Sequence, residues 1–433
     1  GLDPRFRFTV SRAIYKGMLK YLAYVNGTNY VVQPLPVKNM ACKFAGRNKI
    51  ELTWTAVNDS LEPTATPEKY VIYIRTDNGD FDNGAVVKSN RVVIDIQPGK
   101  IYSFRVTALN KGGESFPSEI LSAYRAYSDK KEVMIVNGFD RVSAPASFEN
   151  NQSKGGFLYD TDGGMPYIRD ISFTGSQYEF DRTKPWVTDE NQGFGASARD
   201  YESMVIAGNT FDYPAMHGKA IKAAGFSFVS CSLGAVLSGE TDLRKFSYVD
   251  LILGKQKQTY IGNAKKAPEF KTFPLALQQK IRAYCQNGGN LLVSGAYLAS
   301  DMYNGEYIKT EERFFLENIL NVQFKSVKKT TDNKVNVVVS PLAFFHKSEF
   351  SLFNKPNEWM YHVESVNVLE PTAKNAITIC RYNENNQSAG VAYNGKYKVC
   401  ALGFPLESIK SEKEQNKLME SVLLFFASGQ KIF

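Results

Sequence analysis

The sequence predicts a multidomain protein, an all-β sandwich followed by a doubly wound α/β domain with insertions, and three observations carry that prediction. The 433 residues are roughly three times the usual length of a domain, so two or three cores are expected. From about Gln33 to Tyr127, short runs of period two are split by turn residues every ~8–12 positions, as in a sandwich. From Lys131 onward, continuously apolar runs alternate with helical segments, the pattern of a parallel sheet covered on both faces.

Composition narrows the function classes. With 43% hydrophobic and 22% charged residues the chain has globular composition, and no apolar run approaches the roughly 20 residues that would span a bilayer. The net charge of +8 is spread along the length, and Lys328-Lys329 is too short a run for a phosphate-binding stripe, so nucleic acid is not an expected partner. Five cysteines without a CxxC, and three histidines (His217, His346 and His362), leave little with which to build a metal centre; no metal and no cofactor are expected. The odd cysteine count leaves at least one thiol free or paired between chains, while a single disulfide remains compatible. The chain starts at Gly1 with no signal-type segment after it, so it reads as a piece of a longer protein.

Residues 1–32 read as a helix and linker. Asp3 can cap the helix and Pro4 fits its first turn, while Val10, Ile14, Met18 and Leu22 fall on one face that must bury itself. Asn26-Gly27 stops it. The wording AIYKGMLKYLA resembles the closing helix of bacterial zinc-dependent N-acetylmuramoyl-L-alanine amidases, which implies a catalytic domain upstream.

Residues 33–127 supply candidate strands at 37–43, 49–56, 69–76, 91–96, 101–109 and 119–125. Trp54 in IELTW, the alternating YVIYI (Tyr70–Ile74) and the passage IYSFRVTALNKGGES resemble a fibronectin type III domain over its whole length. The resemblance makes Trp54 the core tryptophan and Tyr102 a tyrosine corner, both expected to be buried in a seven-stranded sandwich.

In residues 128–433, apolar strands are expected at Glu132–Asn137, Phe226–Ser230, Tyr248–Leu253, Asn290–Ser294 and Tyr397–Leu402. Helices are expected near Met216–Ala224, over Leu275–Gln286 and from Ser411, where Ser411 and Glu414 form a capping box. The first four strands should lie parallel. Two pieces break the alternation: an insertion at about 143–213, rich in Gly, Asp and aromatics, and a β-extension at about 333–395. An insertion after the first strand sits over the carboxyl ends of the sheet, where ligands bind in open α/β folds. Asp140, Arg141, Tyr167, Tyr178 and Trp186 are the ligand-binding candidates there.

The segments YVDLILG, NGGNLLVSGAYLAS and CALGFPLES resemble the class I glutamine amidotransferase-like, flavodoxin-like fold over about two thirds of the chain after Lys131. In that family a cysteine nucleophile sits on a G-[IV]-C-x-G elbow and a late F-H-P-E-S segment supplies the histidine base and its glutamate. Here the elbow is Gly295-Ala296-Tyr297-Leu298-Ala299, and the late segment is Phe404-Pro405-Leu406-Glu407-Ser408. Nucleophile and base are both missing and only Glu407 remains, so no amidotransferase activity is expected. Cys285 lies in the helix before the elbow strand and Cys231 follows another strand, so neither substitutes.

Weaker constellations are Asp160 and Asp162 in DTDGG, the opening of a calcium loop whose later acidic position holds Ile171, and Asp212 with His217, a possible acid/base pair. His346 and His362 read as packing residues. Together, the order of helix, sandwich and α/β domain resembles the carboxy-terminal part of secreted bacterial proteins labelled xanthan lyase or N-acetylmuramoyl-L-alanine amidase. That resemblance implies a periplasmic or cell-surface location and a cell-wall or polysaccharide glycan as partner. The leading expectation is a non-catalytic binding and positioning module. The alternatives are a glycan-acting hydrolase or lyase using Asp212, His217, Tyr297 and Glu407 in the α/β cleft, and a structural module that binds other proteins through the sandwich.

Overall fold

The structure of the protein is a computed structural model, and the residues it describes are 4–127, 130–140, 148–149, 151–152, 154–155, 179–185, 187, 191–194, 196, 212–258, 268–304, 307–329, 333–338, 344–353, 361, 363 and 365–429. The chain divides into two units, one of Gly1–Ser122, Val142–Asp212 and Asn357–Tyr361, the other of Ala123–Arg141, Tyr213–Pro356 and His362–Phe433. Among the described residues no helix is long and apolar enough to cross a membrane.

The first unit opens with the helix Pro4–Asn26 and continues into a sandwich. One sheet pairs Lys38–Phe44, Lys49–Thr55 and Arg91–Asp95 antiparallel; the other is built on Lys69–Thr76 and Ile101–Asn110, with Ala85–Val87 at an edge. Alternation places Ile50, Leu52 and Trp54 inward from the first sheet and Phe104, Val106 and Ala108 inward from the second, all at most 2% exposed. Trp54 meets the Tyr70 ring edge-on at 5.3 Å. Tyr102 shares the parity of Phe104 but stands at the strand's start, so it is half-buried rather than buried as expected. Its hydroxyl accepts the Gln97 N–H at 3.1 Å, which makes the expected tyrosine corner.

The helix overturns one expectation. Its apolar stripe is not buried: Val10, Ile14, Met18 and Leu22 are 39–62% exposed. The opposite face docks instead, because Arg12, Lys16 and Lys20 recur every four residues and meet two fixed carboxylates. Arg12 bonds Asp59 at 3.1 Å, Lys16 lies 3.5 Å from the same acid, and Lys20 lies 3.4 Å from Glu62.

In the second unit the parallel strands run in the order Phe228–Ser232, Val133–Asn137, Tyr248–Gly254, Asn290–Gly295, Lys398–Leu402. The first four include those expected to be parallel. Antiparallel strands Ser388–Asn394, Ala376–Tyr382, Lys334–Val337 and Ser348–Ser351 then extend the sheet, so the expected β-extension forms. In sequence terms the parallel order is second, first, third, fourth, fifth. Right-handed crossovers therefore put the helix Tyr213–Ala223, between the first two strands, and the helix Leu275–Gln286, between the third and fourth, on opposite faces. Tyr213–Ala223 packs against the last helix, Glu412–Ala427, whose Ser411 cap accepts the Glu414 N–H.

Removing one hydroxyl tests the sandwich assignment. Tyr102→Phe deletes the Gln97 contact and should cost about 1 kcal/mol while accelerating hydrogen exchange at the Gln97 amide. Unchanged exchange there would show that the corner bond is not formed.

Candidate functional site

His217 has the most constrained surroundings of the expected site residues. It lies in the Tyr213–Ala223 helix one residue before Gly218, whose missing side chain lets the helix press onto the sheet. A Cβ at Gly218 would come within 2.2 Å of the Phe228 ring. The imidazole is thereby pushed into the strand layer and is 0% exposed. Its Nδ1 lies 2.7 Å from Asp250 Oδ2, in the strand Tyr248–Gly254, and its Nε2 lies 3.2 Å from Glu407 Oε2, in the turn Leu406–Ser408. Both neighbours are carboxylates, so both ring nitrogens donate and the ring carries its charge. Burial alone would favour the neutral imidazole. The attraction of Asp250 and Glu407 outweighs it and holds the pKa up at about 10.

This arrangement brings together His217 and Glu407 from the expected set and adds Asp250. Asp212 is not their partner. Its carboxylate is held by Arg75, which donates to both oxygens at 2.8 Å and is itself covered by the Phe81 and Phe180 rings at 5.1 and 5.6 Å. The expected Asp212–His217 pair does not form because each is already satisfied by an oppositely charged buried group.

A general base needs a lone pair that it can offer to a substrate. His217 has none to offer, since a proton occupies each nitrogen and a carboxylate faces each proton. Asp250 Oδ1 is buried without a hydrogen-bond partner, so the two carboxylates offer more acceptors than the ring has protons and keep it protonated.

The elbow position is equally closed. Tyr297 is 6% exposed, with its hydroxyl 3.4 Å from Ser365 Oγ and the Lys257 ammonium 4.7 Å above its ring. Its backbone is not left-handed, unlike that of six non-glycine residues among those described, so the strain that exposes a nucleophile on such an elbow is missing. Pro405 begins the Leu406–Ser408 turn and offers no proton acceptor on its side chain. All five cysteines are buried and none is in a disulfide, so the single bridge that the sequence allowed is not formed. Burial pushes the Cys285 thiol up to about 12, away from the thiolate that nucleophilic attack requires.

The crevice between the strands Val133–Asn137 and Tyr248–Gly254, where the strand order reverses, is filled by the protein itself. Phe139 is fully buried there, 5.3 Å from the Tyr213 ring and against Gly254. Gly254 has φ +48, and a Cβ on it would lie 2.3 Å from the Phe139 ring. Asp140, a binding candidate, is tied to Gln256 twice: its N–H donates to Gln256 Oε1 at 2.9 Å and its Oδ1 accepts from Gln256 Nε2 at 2.6 Å. Arg141, Tyr167, Tyr178, Trp186, Asp160 and Asp162 lie outside the described residues. Among the described residues no group of three His, Cys, Asp or Glu side chains is arranged to hold a metal ion.

Asp250 is the site residue that sequence reasoning passed over. The signal was a lone acid inside the otherwise apolar YVDLILG, because a buried carboxylate requires a partner.

Residues 35–124 match the fibronectin type III domain family, so this segment is a fibronectin type III domain, followed by a larger mixed α/β region. Among solved structures, the chain is similar to the twitchin kinase region from C. elegans, at 23% identity over 23% of this chain and 18% of that one, with a TM-score of 0.21. It is also similar to a human structure described as the "forth FNIII domain", at 23% identity over 24% of this chain and 88% of that one (TM-score 0.21). A third similarity is to domains d3-d4 of the rat CD45 extracellular region, at 21% identity over 21% of this chain and 49% of that one (TM-score 0.19). The chain thus spans under a fifth of the twitchin structure and about half of the CD45 one.

Two measurements test the His217 clasp. His217→Ala strands two buried carboxylates and should destabilise the α/β unit by about 3–5 kcal/mol. For a raised pKa the stabilisation is complete below the ordinary histidine value of 6.5 and is lost as pH climbs towards about 10. Thermal unfolding of the wild type should therefore weaken over that window, and the same scan of His217→Ala should lack this component. Identical slopes would contradict the charged bridge.

Proposed function

We propose that the chain is a non-catalytic binding and positioning module of a secreted cell-envelope or polysaccharide-processing protein, its α/β unit a glutamine amidotransferase-like scaffold that has lost its chemistry. The single observation that carries this reading is the His217 ring, buried with both nitrogens committed to Asp250 and Glu407. Among the described residues it is the histidine that contacts Glu407, and catalysis there requires a nucleophile, a base and an oxyanion pocket within reach of one another. Tyr297 and Pro405 supply neither of the first two. The parallel strand order, with its reversal between the strands Val133–Asn137 and Tyr248–Gly254, supports the amidotransferase-like reading of the scaffold.

The fibronectin type III domain supports a spacer or docking role, since such domains present surfaces rather than catalytic groups. A glycan ligand and an exported location rest on the resemblance of the helix, sandwich and α/β order to secreted wall-acting proteins. The test is co-sedimentation of the full chain with insoluble peptidoglycan sacculi and with acidic and neutral polysaccharide beads, beside glutaminase and ester hydrolysis assays. Retention on a glycan with turnover at the buffer rate is expected. Turnover that His217→Gln abolishes would reverse the reading in favour of a hydrolase.

A further inference from the structure

With the reversal crevice closed by Phe139, the carboxyl ends of the strands Tyr248–Gly254 and Asn290–Gly295 lead elsewhere, to a cleft of about 220 Å³ on the side away from the strand Val133–Asn137. From the sequence, Gln258 arrives four residues after the first strand, and the elbow continues into Asp301, Met302 and Tyr303 after the second. Asp301 builds the walls. It is almost wholly buried, one oxygen accepts the Gln258 N–H at 2.8 Å and the other the Thr272 N–H at 2.9 Å. Two separate loops are thus pinned to one carboxylate. Phe270, just before the pinned segment, is held at φ 63, a left-handed conformation that a bulky residue keeps only where its surroundings over-determine it.

The formal charges of the lining balance, Lys271 and Lys309 against Asp301 and Glu312, but the groups are not all engaged with one another. Lys271 is paired with Glu312, and both Asp301 oxygens are spent on the walls. Lys309 is exposed, and no acid among the described residues pairs with it. Two tyrosines complete the lining. Tyr303 is fixed by its contact with the Phe324 ring at 5.1 Å, and Tyr307 stands 65% exposed. A fixed ring, an exposed ring, a free ammonium and the Gln258 side of the cleft make one apolar face, one cationic corner and a polar edge.

We infer that this cleft is a subsite for a carboxylate-bearing sugar, a uronic acid or an acid-substituted amino sugar, within the glycan of the reading above, on which this inference rests. The tyrosine rings meet the C–H face of the pyranose, and Lys309 meets its carboxylate. The volume is below the roughly 300 Å³ at which pockets begin to engulf a drug-sized ligand, so it takes one sugar ring or a side group of a polymer. A phosphate ligand fits less well, because a single unpaired cation makes a weak phosphate site.

The experiment is saturation-transfer NMR titration of the 433-residue chain with D-glucuronic acid and N-acetylmuramic acid, and with D-glucose and N-acetylglucosamine as neutral counterparts. The acids should bind at least about threefold tighter than the neutral sugars, and Lys309→Ala should erase that difference while Lys309→Arg keeps it. Tyr307→Ala should weaken acidic and neutral sugars alike by several-fold. Both positions are exposed, so circular dichroism should show unchanged folding. Equal binding of acids and neutral sugars, or acid binding untouched by Lys309→Ala and Tyr307→Ala, overturns the inference. If both variants still sediment with sacculi like the wild type, the subsite is wrong while the binding reading stands. If the wild type is retained by no glycan and titrates with no sugar, both fail together.

Discussion

The α/β unit depends on a positive ring held between two negative groups where there is no water. Asp250 is the third residue of a fully buried strand that is otherwise Tyr, Val, Leu, Ile and Gly, and an unpaired carboxylate there would be costly enough to protonate or to unfold its surroundings. His217 removes that cost only if it too is charged, and a charged ring with one carboxylate would leave its second N–H unpaired. Glu407 completes the set. One helix, one central strand and one late turn are thereby fixed to each other by directional bonds, in a region where apolar packing alone would allow sliding. The narrow approach at Gly218 is the steric condition for this, since any larger residue would lift the helix off Phe228 and withdraw the ring.

The same interaction fixes the protonation state of the imidazole. A glutamate that orients a catalytic histidine must leave the far nitrogen open towards solvent or substrate. Here the far nitrogen meets a second carboxylate, so the ring is stabilised in the protonated form that cannot accept a proton. The resulting group is stable because it is inert. Tyr297 and Pro405 are consistent with that state, because neither residue needs a base beside it.

Much of the fold was legible because it depends on patterns that burial imposes directly. Runs such as EVMIVN and NLLVS can only be strands covered on both faces, and the period of two around Trp54 and Phe104 fixes an inward set in the sandwich. The strand expected at Phe226–Ser230 begins two residues later, since Ser227 is engaged through its side chain with the Ala126 N–H before pairing starts. The helix Pro4–Asn26 was legible as a helix but not in its orientation. An apolar stripe gives a tendency, whereas Asp59 and Glu62 give two fixed points that three lysine and arginine side chains reach at once, and those partners lie more than thirty residues away in sequence.

The candidate site was less legible for a related reason. His217 and Glu407 were each recognisable as chemically capable, but 190 residues separate them and no local spacing announces their contact. Asp212 is nearer in sequence to His217, and proximity along the chain favoured that pairing. Electrostatics favoured another: Arg75 Nη2 donates to both Asp212 oxygens from a position covered by aromatic rings, where a charge-assisted contact is stronger than any a shared histidine could add. With Asp212 taken by an arginine, the imidazole is left to the two carboxylates of its own unit. The crevice above them is then free to be filled by Phe139, and the polar groups around Tyr307 and Lys309 line a cleft beside these strand ends. The clasped imidazole at the centre and the small polar cleft at the side are thus two consequences of one distribution of buried charge.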